Sequence, residues 1–274
     1  MTPSILNDWG IGQIVNHSKR TAARLGTGFL SCVLASTLWV ADAGAQQVPS
    51  WSYSGGTGPQ NWGRMTGFST CGSGKMQSPI DISGTEPALV APLLLDYQVT
   101  SLSILNTGQG LTMAYDLGSN LMVGEKTFPL LGFVMHTPGE HTLSGKSFAA
   151  EIQFLHQTEG GERAIVSVMV DEGEDLRAAN ELINNLPLEP GQTRRLDTVL
   201  INARDFAPVQ SGYFRYMGSL TTPPCAEGVN WYVMKTPITM SADQINAFRS
   251  VMGANNRPVQ PRNNRILIDG ETVR

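Results

Sequence analysis

The chain has 274 residues, of which 41% are hydrophobic and only 15% charged, a balance that supports a globular core. Its 19 basic and 23 acidic residues give a formal net charge of −4 with no block of like charge, so nucleic acid and anionic membrane surfaces are not expected partners. Glycine (29) and proline (16) are plentiful, which suits short strands joined by turns better than a helical bundle.

At the amino end, Lys19, Arg20 and Arg24 precede an apolar run over 29–40, and Ala43, Gly44 and Ala45 follow it. Basic, apolar and small-residue regions in that order read as an export signal cleaved after Ala45. The apolar run is too short for the roughly 20 residues that span a bilayer, so no stable membrane insertion is expected. Cys32 leaves with this leader, and its neighbours Phe29, Leu30 and Ser31 make a poor lipid-attachment site. The exported chain keeps 16 basic and 21 acidic residues, for a net charge of −5. It also keeps an even pair of cysteines, Cys71 and Cys225. In a periplasmic or secreted setting such a pair reads as one disulfide. Closing a loop of about 150 residues would stabilise the fold by up to roughly 5 kcal/mol.

From residue 46 to 274 there is no internal repeat, linker or low-complexity stretch, which predicts a single domain. Residues 101–106, 148–156, 164–170 and 229–234 alternate or run apolar, as strands do. Two segments are predicted as helices. Leu176, Ala179, Ile183 and Leu186 fall at helical spacing, and Ser241 with Gln244 forms a capping box ahead of Ile245, Phe248 and Met252.

Five stretches in fixed order resemble the α-class carbonic anhydrases: WSYSGGTGPQNW (51–62), CGSGKMQSPIDI (71–82), MHTPGEHTLSGKSFAAEIQFLH (135–156), YFRYMGSLTTPPCAEGVNW (213–231) and NNRPVQPRNNR (255–265). Together they cover nearly all of 46–274. The resemblance implies a mainly β (α+β) fold, a large and mostly antiparallel twisted sheet with short peripheral helices. It also implies the family reaction, reversible zinc-dependent hydration of CO2 to bicarbonate. Cys71 and Cys225 match cysteines that pair in many exported members.

That reaction needs a hydroxide at neutral pH, which zinc held by three imidazoles supplies by lowering the pKa of its water to about 7. In the family, two of these histidines sit two apart on one strand, hence on one face, and the third lies on a neighbouring strand. The matching positions here are Val134, His136 and Gln153. Only His136 ligates well, since valine has no lone pair and an amide oxygen is a weak zinc ligand. No cofactor is therefore expected. The other histidines offer no rescue: His17 lies in the leader, strand alternation turns His156 to the opposite face from Gln153, and His141 matches a structural histidine.

The remaining correspondences are to parts around the metal. Thr221 and Glu140 match a pair that orients the zinc hydroxide, and Glu151 matches the carboxylate that steers the third ligand. Leu155, Ile165, Leu220, Thr222 and Trp231 match the CO2 pocket. Gln109 stands where fast members carry a proton-shuttle histidine and cannot titrate, and Gly132 replaces a glutamine that supports the first ligand. The expectation is an exported, catalytically inactive member that binds a protein or small-molecule partner or serves structurally. The alternative is a working zinc carbonic anhydrase with a non-standard ligand set.

Overall fold

The computed structural model describes residues 50–272. The leader, its cleavage point after Ala45 and Cys32 lie outside the described residues.

Fifteen strands and three α-helices follow one another. Helix α1 (Thr70–Ser73) leads to β1 (Asp81–Ile82), β2 (Glu86–Val90), β3 (Leu93–Asp96), β4 (Thr100–Asn106), β5 (Leu111–Ala114) and β6 (Asn120–Val123). Next come β7 (Lys126–His136), β8 (Thr142–Leu143), β9 (Ala150–Gln157) and β10 (Arg163–Glu172). Helix α2 (Arg177–Ile183) precedes β11 (Thr193–Ile201), β12 (Tyr213–Ser219), β13 (Glu227–Met234) and β14 (Ile238–Met240). Helix α3 (Ala242–Met252) and β15 (Ile268–Thr272) complete the described chain. The four strands read from the sequence are present as β4, β9, β10 and β13.

The main sheet runs β11-β4-β5-β7-β9-β10-β13-β12-β15-β2. Its neighbours are antiparallel except β10–β13 and β15–β2. The central strands β9 and β10 are buried along almost their whole length, as strands covered on both faces must be. Period-two alternation divides their side chains between two cores. Ile152, Phe154 and His156 of β9 join Phe133 and Met135 of β7 and Val166 and Val168 of β10 on one face. Leu155, Ile165, Leu131 and Trp231 build a second core on the other. The first face is the thicker core, backed by the two longer helices.

Those helices are locked together by one side chain. Both capping-box bonds at the start of α3 are formed: the Ser241 hydroxyl accepts from the Gln244 N–H, and Gln244 reaches back to the Ser241 N–H. Gln244 also accepts from the Leu176 N–H at 2.9 Å and donates to the Leu176 carbonyl at 2.9 Å, so it ties the start of α2 to α3. Leu176 is itself the cap of α2, and Leu186 lies beyond its end, so the sequence periodicity overran the helix on both sides. The first turn of α2 is fastened by Gln244 and not by a capping side chain of its own.

The disulfide joins Cys71 in α1 to Cys225, just before β13, with Cα atoms 5.0 Å apart. It packs with Trp62 and Phe68. The Cys225 N–H donates to the Thr222 carbonyl at 2.8 Å, so the bridge holds the 220–226 turn in place. No helix among the described residues is long and apolar enough to cross a membrane.

His156 is completely buried in the thicker core. Its Nδ1–H donates to the Ala164 carbonyl at 3.3 Å, which leaves Nε2 to accept from the Tyr97 hydroxyl at 2.8 Å. Burial pushes its pKa down from 6.5 to about 3, against the pull of neighbouring backbone carbonyls. The unfolded chain therefore binds a proton that the folded chain refuses below about pH 6.5, and stability falls as pH drops through that window. The loss approaches 1.4 kcal/mol per pH unit, up to roughly 5 kcal/mol in all. Denaturant unfolding of the protein and of His156→Gln from pH 7.5 to 5 should show this extra slope only in the unsubstituted protein. Parallel curves would refute it.

Candidate functional site

The second face of the sheet opens into a cleft of about 540 Å³, counting its mouth. Strands β7 and β9 form its floor. Val134 lies directly opposite Gln153 in the antiparallel register and His136 opposite Glu151. Side chains two apart share a face, so β7 presents Val134 and His136 to the cleft and β9 presents Gln153 and Leu155. Ile165 of β10 and Leu220, Thr221 and Thr222 of the turn after β12 form one wall. Gln109 and Trp51 stand at another, where Gln109 donates to the Trp51 carbonyl at 3.4 Å.

Beneath the floor, Glu151 is fully buried and its carboxylate accepts five hydrogen bonds. The Glu140 and His141 N–H groups donate to Oε2, each at 2.8 Å. His141 Nδ1 at 2.8 Å, the Ser167 hydroxyl at 2.7 Å and Gln153 Nε2 at 3.0 Å converge on Oε1. Burial alone would raise the pKa of this carboxyl. The adjacent His141, its ring and backbone donors and Ser167 outweigh burial and hold the carboxyl well below the usual carboxylate range. His141 is in turn fixed from behind, with Nε2 2.7 Å from the Tyr216 hydroxyl.

Glu140 is likewise buried and doubly bonded. The Arg257 N–H donates to its Oε1 and Gln153 Nε2 to its Oε2, both at 2.8 Å. The Gln153 amide therefore bridges two carboxylates. Only its NH2 group can do so, because an amide oxygen has nothing to donate, and this fixes the amide orientation. Arg257 is nearly fully buried, and its guanidinium turns away from the cleft to Gln77, the Ser78 carbonyl and the Cys71 carbonyl. Burial lowers its pKa to about 10, so it remains the cation of this layer.

Two expected arrangements are absent. Thr221 and Glu140 form no orienting pair: the Glu140 oxygens accept from Gln153 and the Arg257 N–H, and among the described residues no bond joins Glu140 to Thr221. Trp231 does not line the cleft. It is fully buried behind it, edge-on to His141 at 4.8 Å and stacked with Tyr216, with its Nε1–H bonded to the Ser219 carbonyl. Leu155, Ile165, Leu220, Thr222 and Gln109 do line it. Gly132 lies on β7, two residues before Val134. A Cβ there would come within 2.3 Å of the Met113 carbonyl oxygen, so the backbone admits no side chain at that point.

The site also depends on residues that the sequence reading did not single out. Asn255 accepts the His136 Nδ1–H on its carbonyl at 2.7 Å, and its side chain bonds the Thr137 N–H and the Met135 carbonyl. Ser167 and Tyr216 anchor Glu151 and His141. Asn255 and Arg257 belong to the NNRPVQPRNNR stretch, so a signal for them was present, though without a role attached.

The donor set does not fit a three-histidine zinc site. With its Nδ1–H given to the Asn255 carbonyl, the His136 ring has only Nε2 to offer a metal. Val134 offers no lone pair, and Gln153, whose NH2 is held by two carboxylates, offers only an amide oxygen, a weak zinc ligand. Among the described residues, no group of three or more His, Cys, Asp or Glu is placed to hold a metal ion.

A family model described as eukaryotic-type carbonic anhydrase matches residues 57–269. A carbonic anhydrase of Nostoc sp. is 36% identical over 251 residues, covering 89% of this chain and 92% of that protein. Among solved structures, the Photobacterium profundum alpha-carbonic anhydrase superposes with a TM-score of 0.76 at 41% identity, over 80% of this chain and 100% of that one. The structure titled dioscorin complexed with ascorbate gives a TM-score of 0.77 at 27% identity, over 82% and 100%.

Because Gln153 is the donor that both buried carboxylates share, Gln153→Leu should be costly although leucine is similar in size. It removes a charge-assisted bond from each of two buried carboxylates, which predicts a loss of about 3 kcal/mol. That corresponds to a fall in Tm of roughly 6 to 12 °C. Calorimetry of the two proteins measures it, and an unchanged Tm would show that another donor, such as the Thr221 hydroxyl, replaces the amide at no cost.

Proposed function

This chain belongs to the eukaryotic-type carbonic anhydrase family, and from that premise we propose that it is an exported, metal-free member whose cleft binds a ligand instead of hydrating CO2. One observation carries the reading: the cleft floor presents a single imidazole beside a hydrocarbon and an amide whose NH2 is held by Glu140 and Glu151. In this reading Val134, His136 and Gln153 stand at the family's three zinc-ligand positions, and Glu151 is the carboxylate that would have steered the third. The loss of even an outer partner of a zinc ligand typically costs 10- to 100-fold in affinity, so two lost ligands leave no useful zinc site. The chain's own groups offer no substitute route, since Thr221 has no adjacent base to activate it.

Export rests on the basic, apolar and small-residue order of 1–45 and on the Cys71–Cys225 bridge. A binding role is supported by the cleft itself and by dioscorin, a structural relative whose title names bound ascorbate. A second reading, an active zinc enzyme, is favoured by relatives such as the Nostoc protein, which carries the name carbonic anhydrase at 36% identity.

The two readings part on metal content. Elemental analysis of the purified protein, after incubation with equimolar zinc and desalting, should find far less than one zinc per chain, and CO2 hydration should stay at the uncatalysed rate. Stoichiometric zinc with fast hydration would overturn the proposal. Val134→His with Gln153→His should restore zinc binding, while either change alone restores much less, because tetrahedral zinc needs all three protein ligands. Support for this comes from the register, in which positions 134 and 153 pair across β7 and β9, two residues along from the His136–Glu151 pair. Histidine at 153 would also remove the amide from Glu140. Turnover in the double variant should rise with buffer concentration, since Gln109 cannot carry protons outward.

A further inference from the structure

The polarity of the cleft floor can be read atom by atom. His136 donates through Nδ1 to the Asn255 carbonyl, so the only lone pair the ring can turn to the cleft is on Nε2. Gln153 donates through Nε2 to Glu140 and Glu151, so its carbonyl oxygen is the end left for the cleft. Among the described residues no hydrogen bond reaches either acceptor, and each belongs to a residue at least nine-tenths buried that lines the cleft. The hydroxyl of Thr221 can donate or accept and so fits either kind of ligand. The groups of fixed polarity on the floor are therefore acceptors.

Charge points the same way. No Lys, Arg, Asp or Glu lines the cleft. The carboxylates of Glu140 and Glu151 lie directly beneath the floor, and the guanidinium of Arg257 is bonded on the far side to Gln77, Ser78 and Cys71. Nothing here replaces the two positive charges that a bound zinc ion would bring. An oxyanion would meet two lone pairs with no cation to offset them, and an acceptor facing an acceptor loses the solvation it gives up on entry. A group with adjacent N–H donors satisfies both acceptors at once. The walls are apolar, with Val134, Leu155, Ile165 and Leu220 around the floor and Trp51 nearer the mouth, which suits a flat hydrocarbon body behind such a head.

We propose that this cleft selects a small ligand whose polar head carries adjacent N–H donors, of the primary-amide or amidine class, on an apolar body, and rejects carboxylates and other oxyanions of the same shape. The assignment rests on the metal-free reading above and gives the ligand class for that same site.

Benzamide, benzamidine and benzoate test it, because they share a ring and nearly share a shape while the head changes from neutral donor to cationic donor to anionic acceptor. Each is titrated at pH 8 into the purified, uniformly 15N-labelled protein, following the His136 Nε2 and Gln153 side-chain amide resonances. Benzamide and benzamidine should shift both signals and bind at least 10-fold more tightly than benzoate. His136→Phe should weaken them at least 5-fold while its Tm reports whether the fold survives. Equal or tighter binding of benzoate, or shifts confined to residues outside the cleft, would overturn the assignment, and because the readout is on the unsubstituted protein, misfolding of the variant does not remove the test. Zinc is measured on the same sample. Metal-free protein that prefers benzoate sinks this inference alone, whereas stoichiometric zinc sinks it together with the reading on which it rests.

Discussion

The buried Glu151 carboxylate is the constraint around which the cleft is arranged. A carboxylate taken fully out of water costs several kcal/mol unless its lone pairs are filled, and five donors fill them here. Those donors come from the turn after β7, from β9 itself and from β10. Satisfying one charge therefore fixes the relation of three segments. His141 passes the constraint on to Tyr216 of β12, and Tyr216 to Ser78, at 2.7 and 2.9 Å.

Gln153 is what distinguishes this floor chemically. A residue there must donate downward to Glu151, and an amide has a second hydrogen on the same nitrogen that reaches Glu140 as well. One side chain thus donates to both carboxylates, and Thr221 lines the cleft. The consequence is a reversal of polarity at the surface, because the amide that donates inward must accept outward. A floor whose His136 and Gln153 donors point into the protein needs no ion to satisfy them, and it is suited to a ligand that brings its own donors.

The surrounding frame is long-range and rigid. Arg257 reaches Gln77, Ser78 and Cys71 with its guanidinium and Glu140 with its backbone. The Cys71–Cys225 bridge then ties that layer to the turn that carries Thr221 and Thr222. The wall of the cleft is in this way attached to its floor through covalent and charge-assisted links, which favours a preformed pocket over one that closes on its ligand.

Local rules made a large part of this legible from the chain. Alternation with period two assigned Val134 and His136, and Glu151, Gln153 and Leu155, to one face, and sent His156 to the other, because side-chain direction along a strand is fixed by the neighbouring peptide units alone. Capping at Ser241 followed from residues three apart, and the even cysteine pair foretold the bridge. Ordered motifs identified the fold. What they could not supply was the choice made by each polar atom. Whether Glu140 takes its second bond from Thr221 or from Gln153, which end of the Gln153 amide faces the cleft, and whether Trp231 lines the pocket or lies behind it depend on donors contributed by residues far away in the chain, such as the Arg257 N–H on Glu140. The sequence by itself determined the family and the faces. Only the packed structure decided the direction of the hydrogen bonds, because a buried polar group is satisfied by whichever partner the tertiary fold delivers to it.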